Sequence, residues 1–322
     1  MPSSLCTDDK FIEVWKREGG DAIKVASRLG FSSQESVNNR RKKIERRVGV
    51  LLHSPAPGTV RAVIRRTKGE HSRRISMDIK DGLLLVVSDV HRWPGPMTTA
   101  QRGAIHLCKK LKPTHKIING DLFDGAKISR FPAAIWAMEK RPNVMQELEA
   151  CQDFTVPFSQ ASPGEDIWLL GNHDMRMEGR LAAVAPEYQG VPGFQLADHF
   201  PGWKFGMALF INDNLVIKHR IHNGIHAVYN NAVKSGRSIV TGHLHSLKVT
   251  PWTDYNGTRY GVDTGTLADP EGPQFDYAEE NPLNHRSGCA VLTIRSGRLM
   301  MPELMQVWDE DHIEFRGEII AV

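Results

Sequence analysis

Cysteine is scarce in this chain and forms no pattern: Cys6, Cys108, Cys151 and Cys289 lie far apart with no paired spacing. That excludes a disulfide scaffold or a zinc-finger module and points to a reducing compartment. Long apolar runs are missing too. No stretch approaches membrane-spanning length, and Met1-Pro-Ser-Ser-Leu-Cys-Thr-Asp-Asp lacks the charged-then-apolar order of a signal segment. A cytoplasmic protein with no membrane contact is expected. There is no internal repeat or low-complexity tract.

What is present suffices for a folded enzyme. With 322 residues, 40% of them hydrophobic, the chain can bury one sizeable catalytic core and carry a small accessory domain. Net charge is only +4, but residues 1–80 hold 18 Lys and Arg against 9 Asp and Glu, leaving 23 against 28 in the rest. Such asymmetry suggests a polyanion-binding region at the amino end.

Five blocks rich in Asp, His and Asn follow in order: Asp89-Val-His91, Gly120-Asp121-Leu-Phe-Asp124, Gly171-Asn172-His173-Asp174, His219, and Gly242-His243-Leu-His245. Each comes after an apolar run that reads as a buried strand: Leu83–Val87, Ile117-Ile118, Trp168–Leu170, Leu215–Ile217 and Ile239-Val240. Open α/β sheets place their sites just past the carboxyl ends of such strands. Carboxylates and imidazoles without thiolate suit Mn, Fe or Zn. Two ions about 3.5–4 Å apart can share a carboxylate, activate water and clamp a phosphoryl group; Asp121, central in the order, is the natural bridge. In Asp-x-His and His-x-His, alternate residues of an extended segment would face one pocket.

The ordered set resembles the calcineurin-like metallophosphoesterase superfamily, over about residues 80 to 270. The resemblance implies an α/β fold with a two-sheet β-sandwich core flanked by helices, and two divalent metal ions, with Mn²⁺ expected and Fe, Zn or Ni as alternatives. Asp89, His91 and His245 would hold the first ion, Asn172, His219 and His243 the second, and Asp121 would bridge them. His173 would protonate the leaving oxygen and Asp124 would orient it. Gly125 and Leu170 stand where phosphoprotein phosphatases of the superfamily carry arginine, so the chain looks closer to the phosphodiesterase and nuclease branch, including DNA repair exonucleases and phage or prophage phosphoesterases. Arg92, Trp93 and Pro94 depart from the glycine common after Asp-x-His; they either border the pocket or cap the strand. In the fourth block His219 ends the apolar strand, while His222 could replace it or contact substrate. Arg130 and Arg176 are further candidate substrate contacts, and Phe131–Glu139 reads as a short helix opened by Pro132.

Residues 1–50 read as a small all-α domain. Phe11, Ile12 and Trp15 share one helical face; Asp21 can cap a second helix that Gly30 stops. Ser32-x-x-Glu35 reads as a capping box for a third, decorated by Arg40, Arg41, Lys42, Lys43, Arg46 and Arg47. The pair of helices about a short turn resembles a helix-turn-helix, in which Ser33, Gln34, Ser36 and Asn38 or Asn39 would meet base edges and the basic side chains would grip phosphates. Residues 51–80 read as a basic linker running into strands, and 81–322 as the phosphoesterase domain. Strands are expected at Cys289–Ile294, Leu304–Trp308 and Ile313–Ile319, with a hairpin turn at Ser296-Gly297. The combined expectation is a metal-dependent phosphodiesterase or nuclease acting on DNA. A homodimer is a further expectation, since helix-turn-helix proteins often pair. The alternatives are a small-substrate phosphatase or cyclic-nucleotide phosphodiesterase with a protein-docking domain, and a non-enzymatic DNA-binding regulator.

Overall fold

Apolar residues three and four apart decide the amino-terminal helices. Phe11, Val14 and Trp15 line α1 (Asp8–Arg17), Ala22 and Val25 line α2 (Ala22–Leu29), and Val37 and Ile44 line α3 (Gln34–Val48). All are buried against one another, together with Leu52. Asp21 caps α2 by accepting from the amides of Ile23 and Lys24, and Gly30, at φ 71°, ends it. The cap of α3 is Ser33, not Ser32: its hydroxyl accepts from the Ser36 amide at 3.1 Å. Glu35 then falls at the second helical position, one short of where a capping box needs it.

Three of the six basic side chains of α3 serve this unit internally. Arg40 donates to Asp8 at 2.7 Å and to the Cys6 carbonyl, Arg47 also pairs with Asp8, and Arg41 lies over the Trp15 ring. Lys42, Lys43 and Arg46 are exposed.

This computed structural model describes residues 6–49, 52, 73–130, 135–278 and 281–322. Most of the expected linker, with Arg61, Arg65, Arg66 and Lys68, lies outside the described residues. The chain divides into two compact units, Met1–His71 and Ser72–Val322. Strand β1 (Arg74–Met77), within the span read as linker, pairs in the second unit.

Two sheets form the second unit. One runs β1, β6 (Ala208–Ile211), β7 (Leu215–Ile217), β8 (Ser238–Thr241), β10 (Gly257–Asp263), β9 (Lys248–Asp254). The other runs β15 (Glu318–Ala321), β14 (His312–Phe315), β13 (Glu303–Val307), β11 (Gly288–Arg295), β2 (Gly82–Val87), β3 (His115–Ile118), β4 (Glu165–Leu169), β5 (Lys204–Gly206), with β12 (Arg298–Leu299) beside β11. The period of two assigns the faces. Leu84, Val86 and Ile117 meet Leu209, Ile217 and Val240 between the sheets. Leu85, Val87, Ile118 and Trp168 instead pack outward with residues of α4 (Thr99–Leu111) and α6 (Val144–Gln160). With both faces covered, β2 to β4 are parallel and almost continuously apolar.

The expected strand Ile313–Ile319 is two strands, because Arg316 and Gly317, both with positive φ, make a tight turn between β14 and β15. The helix read from Phe131 appears as α5 (Ile135–Lys140), its expected start lying outside the described residues. Among the described residues, no helix is long and apolar enough to cross a membrane.

Candidate metal centre

The five polar blocks leave the carboxyl ends of β2, β3, β4, β7 and β8. They do not leave as extended chain. Asp89, His91, Asp121, His243 and His245 all have φ between 40° and 74°, so the expected strand-like alternation in Asp-x-His and His-x-His is replaced by left-handed turns. Each such residue costs on the order of 1 kcal/mol or more and needs surroundings that hold it. The surroundings are visible. The Asp89 amide donates to the Gly120 carbonyl at 2.9 Å and the His91 amide to the Asp121 carbonyl at 3.0 Å. Asp174, fully buried, accepts from the amides of Asp121, Phe123 and Gly171 and from the Trp168 indole. Two motif glycines are there for proximity: a Cβ on Gly171 would sit 2.1 Å from Asp121 Oδ1, and one on Gly242 would sit 2.4 Å from Asp89 Oδ2.

These turns bring together three ligand-type groups: Asp89, His91 and His245; Asp121, His219 and His243; and His91, Asp124 and His173. His245 Nε2 lies 3.0 Å from Asp89 Oδ1, and His219 Nε2 lies 3.0 Å from Asp121 Oδ2 without the alignment of a hydrogen bond. The Nε2 atoms of His91 and His219 are buried and lack hydrogen-bond partners. Each ring is nonetheless oriented through its other nitrogen. His219 Nδ1 sits 2.8 Å from the Asn119 carbonyl, and His91 Nδ1 sits 3.2 Å from Asp124 Oδ1. Both oxygens only accept, so the neutral form of each ring keeps its proton on Nδ1 and offers Nε2 as a donor atom for a cation. Orphaned imidazole nitrogens beside carboxylates fit divalent metal ions.

Asp124 links His91 to His173 within the third of these groups. Its Oδ1 lies 2.6 Å from His173 Nδ1, and its Oδ2 accepts from the Trp93 indole at 2.8 Å. Arg176 donates to the Asp124 carbonyl at 2.7 Å and reaches His173 Nε2 at 3.1 Å.

Charge in the centre is dense. Burial would raise Asp121 and Asp89, but the neighbouring imidazoles, His219 and His173 for the first and His245 and His219 for the second, outweigh it and hold both well below the usual carboxylate range. Burial likewise opposes charging of His219, yet Asp121 and Asp89 carry it up to about 10. Burial and then the charge on His219 push His243 down to about 4. Asp174 is pushed up to about 6 by burial and by Asp121, and Asp263, at the end of β10, up to about 7 chiefly by burial.

Of the residues singled out in the sequence, Asp89, His91, Asp121, Asp124, His173, His219, His243 and His245 come together. Asn172 adjoins them, its amide oxygen accepting from Arg220 at 3.3 Å. His222 belongs to none of the ligand groups among the described residues, whereas His219 is buried within one. Arg176 reaches the centre; Arg130 is exposed just before the undescribed residues 131–134. Trp93 borders the site through Asp124, while Arg92 binds the carbonyls of Trp93, Gly95 and Pro96 and shapes its own turn. Sequence reasoning missed Phe275, whose ring lies 5.7 Å from that of His91 and 5.3 Å from that of His245, and His285, 3.4 Å from His245 Nδ1. Both come from a stretch after β10 with no motif.

A two-sheet α/β sandwich whose strand ends carry paired aspartate and histidine clusters defines a metallophosphoesterase. The sequence profile of the calcineurin-like phosphoesterases matches residues 83–265, and the chain belongs to that family. It is 27% identical over 216 residues to the Gene 54 protein of Mycobacterium phage L5, covering 61% of this chain and 82% of that protein. Among solved structures, it is similar to Vps29 of Entamoeba histolytica, complexed with zinc (11% identity, TM-score 0.39, 74% of this chain and 98% of that one). It is also similar to the phosphoesterase YfcE of E. coli (14%, 0.36, 74% and 97%).

Proposed function

We propose that this phosphoesterase is a dinuclear, metal-dependent phosphodiesterase acting on DNA, with the amino-terminal unit holding the nucleic acid. The observation that carries the dinuclear reading is the existence of two three-residue clusters, each with a buried imidazole Nε2 that has no partner. Asp89, His91 and His245 would hold one ion, and Asn172, His219 and His243 the other, with Asp121 between them. The donor set of oxygens and imidazole nitrogens suits Mn²⁺, Fe or Zn. Ions bound there supply Lewis-acid stabilisation of phosphoryl oxygens and an activated water. The chain's own residues do the rest. Asp124 fixes the Nδ1 proton of His173, so that Nε2 faces outward as the atom that exchanges a proton with the leaving oxygen. Arg176 rests on that Nε2 and must yield it to substrate. The neighbouring imidazoles, which outweigh the effect of burial, keep Asp89 and Asp121 charged during turnover.

Support for DNA comes from α3, whose exposed Lys42, Lys43 and Arg46 follow the polar residues at its start, the order that a helix-turn-helix recognition helix would need. A second reading, a small-ester phosphatase with a protein-docking domain, draws on the internal pairing of Arg40, Arg41 and Arg47, which halves the free basic surface. Hydrolysis of single- and double-stranded DNA beside bis-p-nitrophenyl phosphate in Mn²⁺ separates them. Cleavage of both DNA and the diester supports the first; cleavage of small esters alone supports the second, and cleavage of neither removes both.

A further inference from the structure

The arginines around the centre differ in how fully they are committed. Arg176 is half-buried, with one end on the Asp124 carbonyl and the other on His173. Arg286 donates to the Ser246 carbonyl and the Asn284 side chain. Arg92 is bound to three carbonyls. Arg220 is different. It follows His219 directly, is exposed, and among the described residues makes one hydrogen bond, from Nη1 to Asn172 Oδ1 at 3.3 Å. Its charge is felt by His243.

From this we infer that Arg220 is a phosphate-binding residue on the Asn172 and His243 side of the centre, gripping a nonbridging oxygen of the substrate. A guanidinium carries five N–H donors in a planar fork that matches phosphate oxygens, and only one of them is engaged here. The engaged acceptor is itself the atom Asn172 would offer to a cation. Once that oxygen is committed to a divalent ion, its capacity to hold Arg220 falls, and the fork is left beside the ion with its donors available to an anion. The side chain is thus held near the reacting phosphate by an interaction that metal loading weakens. Its exposure matters as well: a phosphate arriving from solvent meets it without displacing any buried partner. The inference rests on the phosphoesterase reading for the identity of the anion.

The test uses the full chain loaded with Mn²⁺, as wild type, Arg220→Ala and Arg220→Lys. Metal content is measured directly, affinity for inorganic phosphate by calorimetry, and kcat and KM with bis-p-nitrophenyl phosphate. Arg220→Ala is expected to keep the wild-type metal content, bind phosphate about tenfold more weakly and raise KM by a similar factor, with kcat changed less; a lost charge-assisted hydrogen bond is of that size. Arg220→Lys, which keeps the charge but not the fork, should recover part of the affinity. Loss of metal in Arg220→Ala would overturn the assignment and make Arg220 a positioning residue for Asn172. So would phosphate affinity within twofold of wild type, or no phosphate binding in the wild type itself. If the wild type hydrolyses no ester yet the alanine variant still loses phosphate affinity, the activity is wrong and the anion site stands.

Discussion

Asp124 Oδ1 lies 2.6 Å from His173 Nδ1, and the same oxygen is 3.2 Å from His91 Nδ1. One carboxylate therefore orients both an expected metal ligand and the histidine expected to move a proton. Burial alone would neutralise Asp124, but the hydrogen bonds from His173 and His91 outweigh it and hold it well below the usual range. The two histidines should separate on mutation. His173→Ala should leave metal content unchanged and lower kcat by about 10²–10⁴-fold, the usual size of a proton-transfer contribution. Asp124→Leu should also weaken metal binding, by about 10–100-fold, because His91 loses its orienting partner. Equal metal loss in both variants would show that His173 is a ligand.

Asp121 should be indispensable for chemistry but not for folding. Asp121→Asn keeps the shape and the Oδ1 that accepts from the His173 amide at 2.8 Å, while removing the charge between the two clusters. Turnover should fall at least about 100-fold, while the metal-free protein still folds but unfolds at a lower temperature, having lost the buried pairing of Asp121 with His219. A folded, metal-loaded Asp121→Asn protein with retained turnover would contradict a bridging role.

The strands and their order were legible because β2, β3, β4, β7 and β8 are short apolar runs, and the polar blocks stand at their ends. The helical period of α1 to α3 was equally plain. Backbone shape at the site was not: nothing in Asp89-Val-His91 or His243-Leu-His245 announces left-handed conformations, which are held from other strands, the first by the Gly120 and Asp121 carbonyls and the second by Asp89 Oδ2, which accepts from the His243 amide. The roles of Arg40 and Arg47 were hidden for a similar reason, since their partner Asp8 lies on α1 and only the folded unit brings it near. Phe275, His285 and Arg220 likewise acquire meaning only from what lies across the site.

Metal uptake should release protons. In the metal-free protein His219 is carried up to about 10, by Asp121 and Asp89 against the effect of burial, so it is protonated at neutral pH. A cation needs the neutral ring, and His243, pushed down to about 4, already is neutral. Affinity at the Asp121, His219 and His243 cluster should therefore climb by about tenfold per pH unit through the neutral and mildly alkaline range, levelling near 10. Calorimetry in buffers of different ionisation enthalpy would report the released proton; affinity that is flat between pH 7 and 9 would refute the coupling.

Asp263 sets a stability trend of opposite character to a salt-bridged carboxylate. Burial pushes it up to about 7, with both backbone donors, Ser246 and Gly265, on Oδ1 and none on Oδ2. Between the ordinary carboxylate range and about 7 the folded state keeps a proton that the unfolded chain has lost, so this group's contribution falls as pH rises through that window. Asp263→Asn removes the ionisation. Relative to wild type in chelator, its urea midpoint should improve as pH rises from about 4 to 7 and then hold steady. A difference that does not change with pH would mean that Asp263 is ionised throughout.

On α3, Lys42, Lys43 and Arg46 should behave differently from Arg40, Arg41 and Arg47, which are engaged within the unit. Lys42→Ala, Lys43→Ala and Arg46→Ala together should leave the thermal stability of the full chain nearly unchanged, because none is tied to a partner among the described residues. They should weaken DNA binding, and the slope of log affinity against log salt should become shallower by about 0.9 for each phosphate that the variant no longer grips. Arg40→Ala should instead destabilise the amino-terminal unit by about 1–3 kcal/mol, since it strips the part-buried Asp8 carboxylate of a 2.7 Å charged hydrogen bond. Measured on a duplex and on a single strand of equal length, the triple variant also distinguishes partners. If its salt slope equals that of wild type on both, α3 does not touch nucleic acid, and the unit serves some other partner of this phosphoesterase.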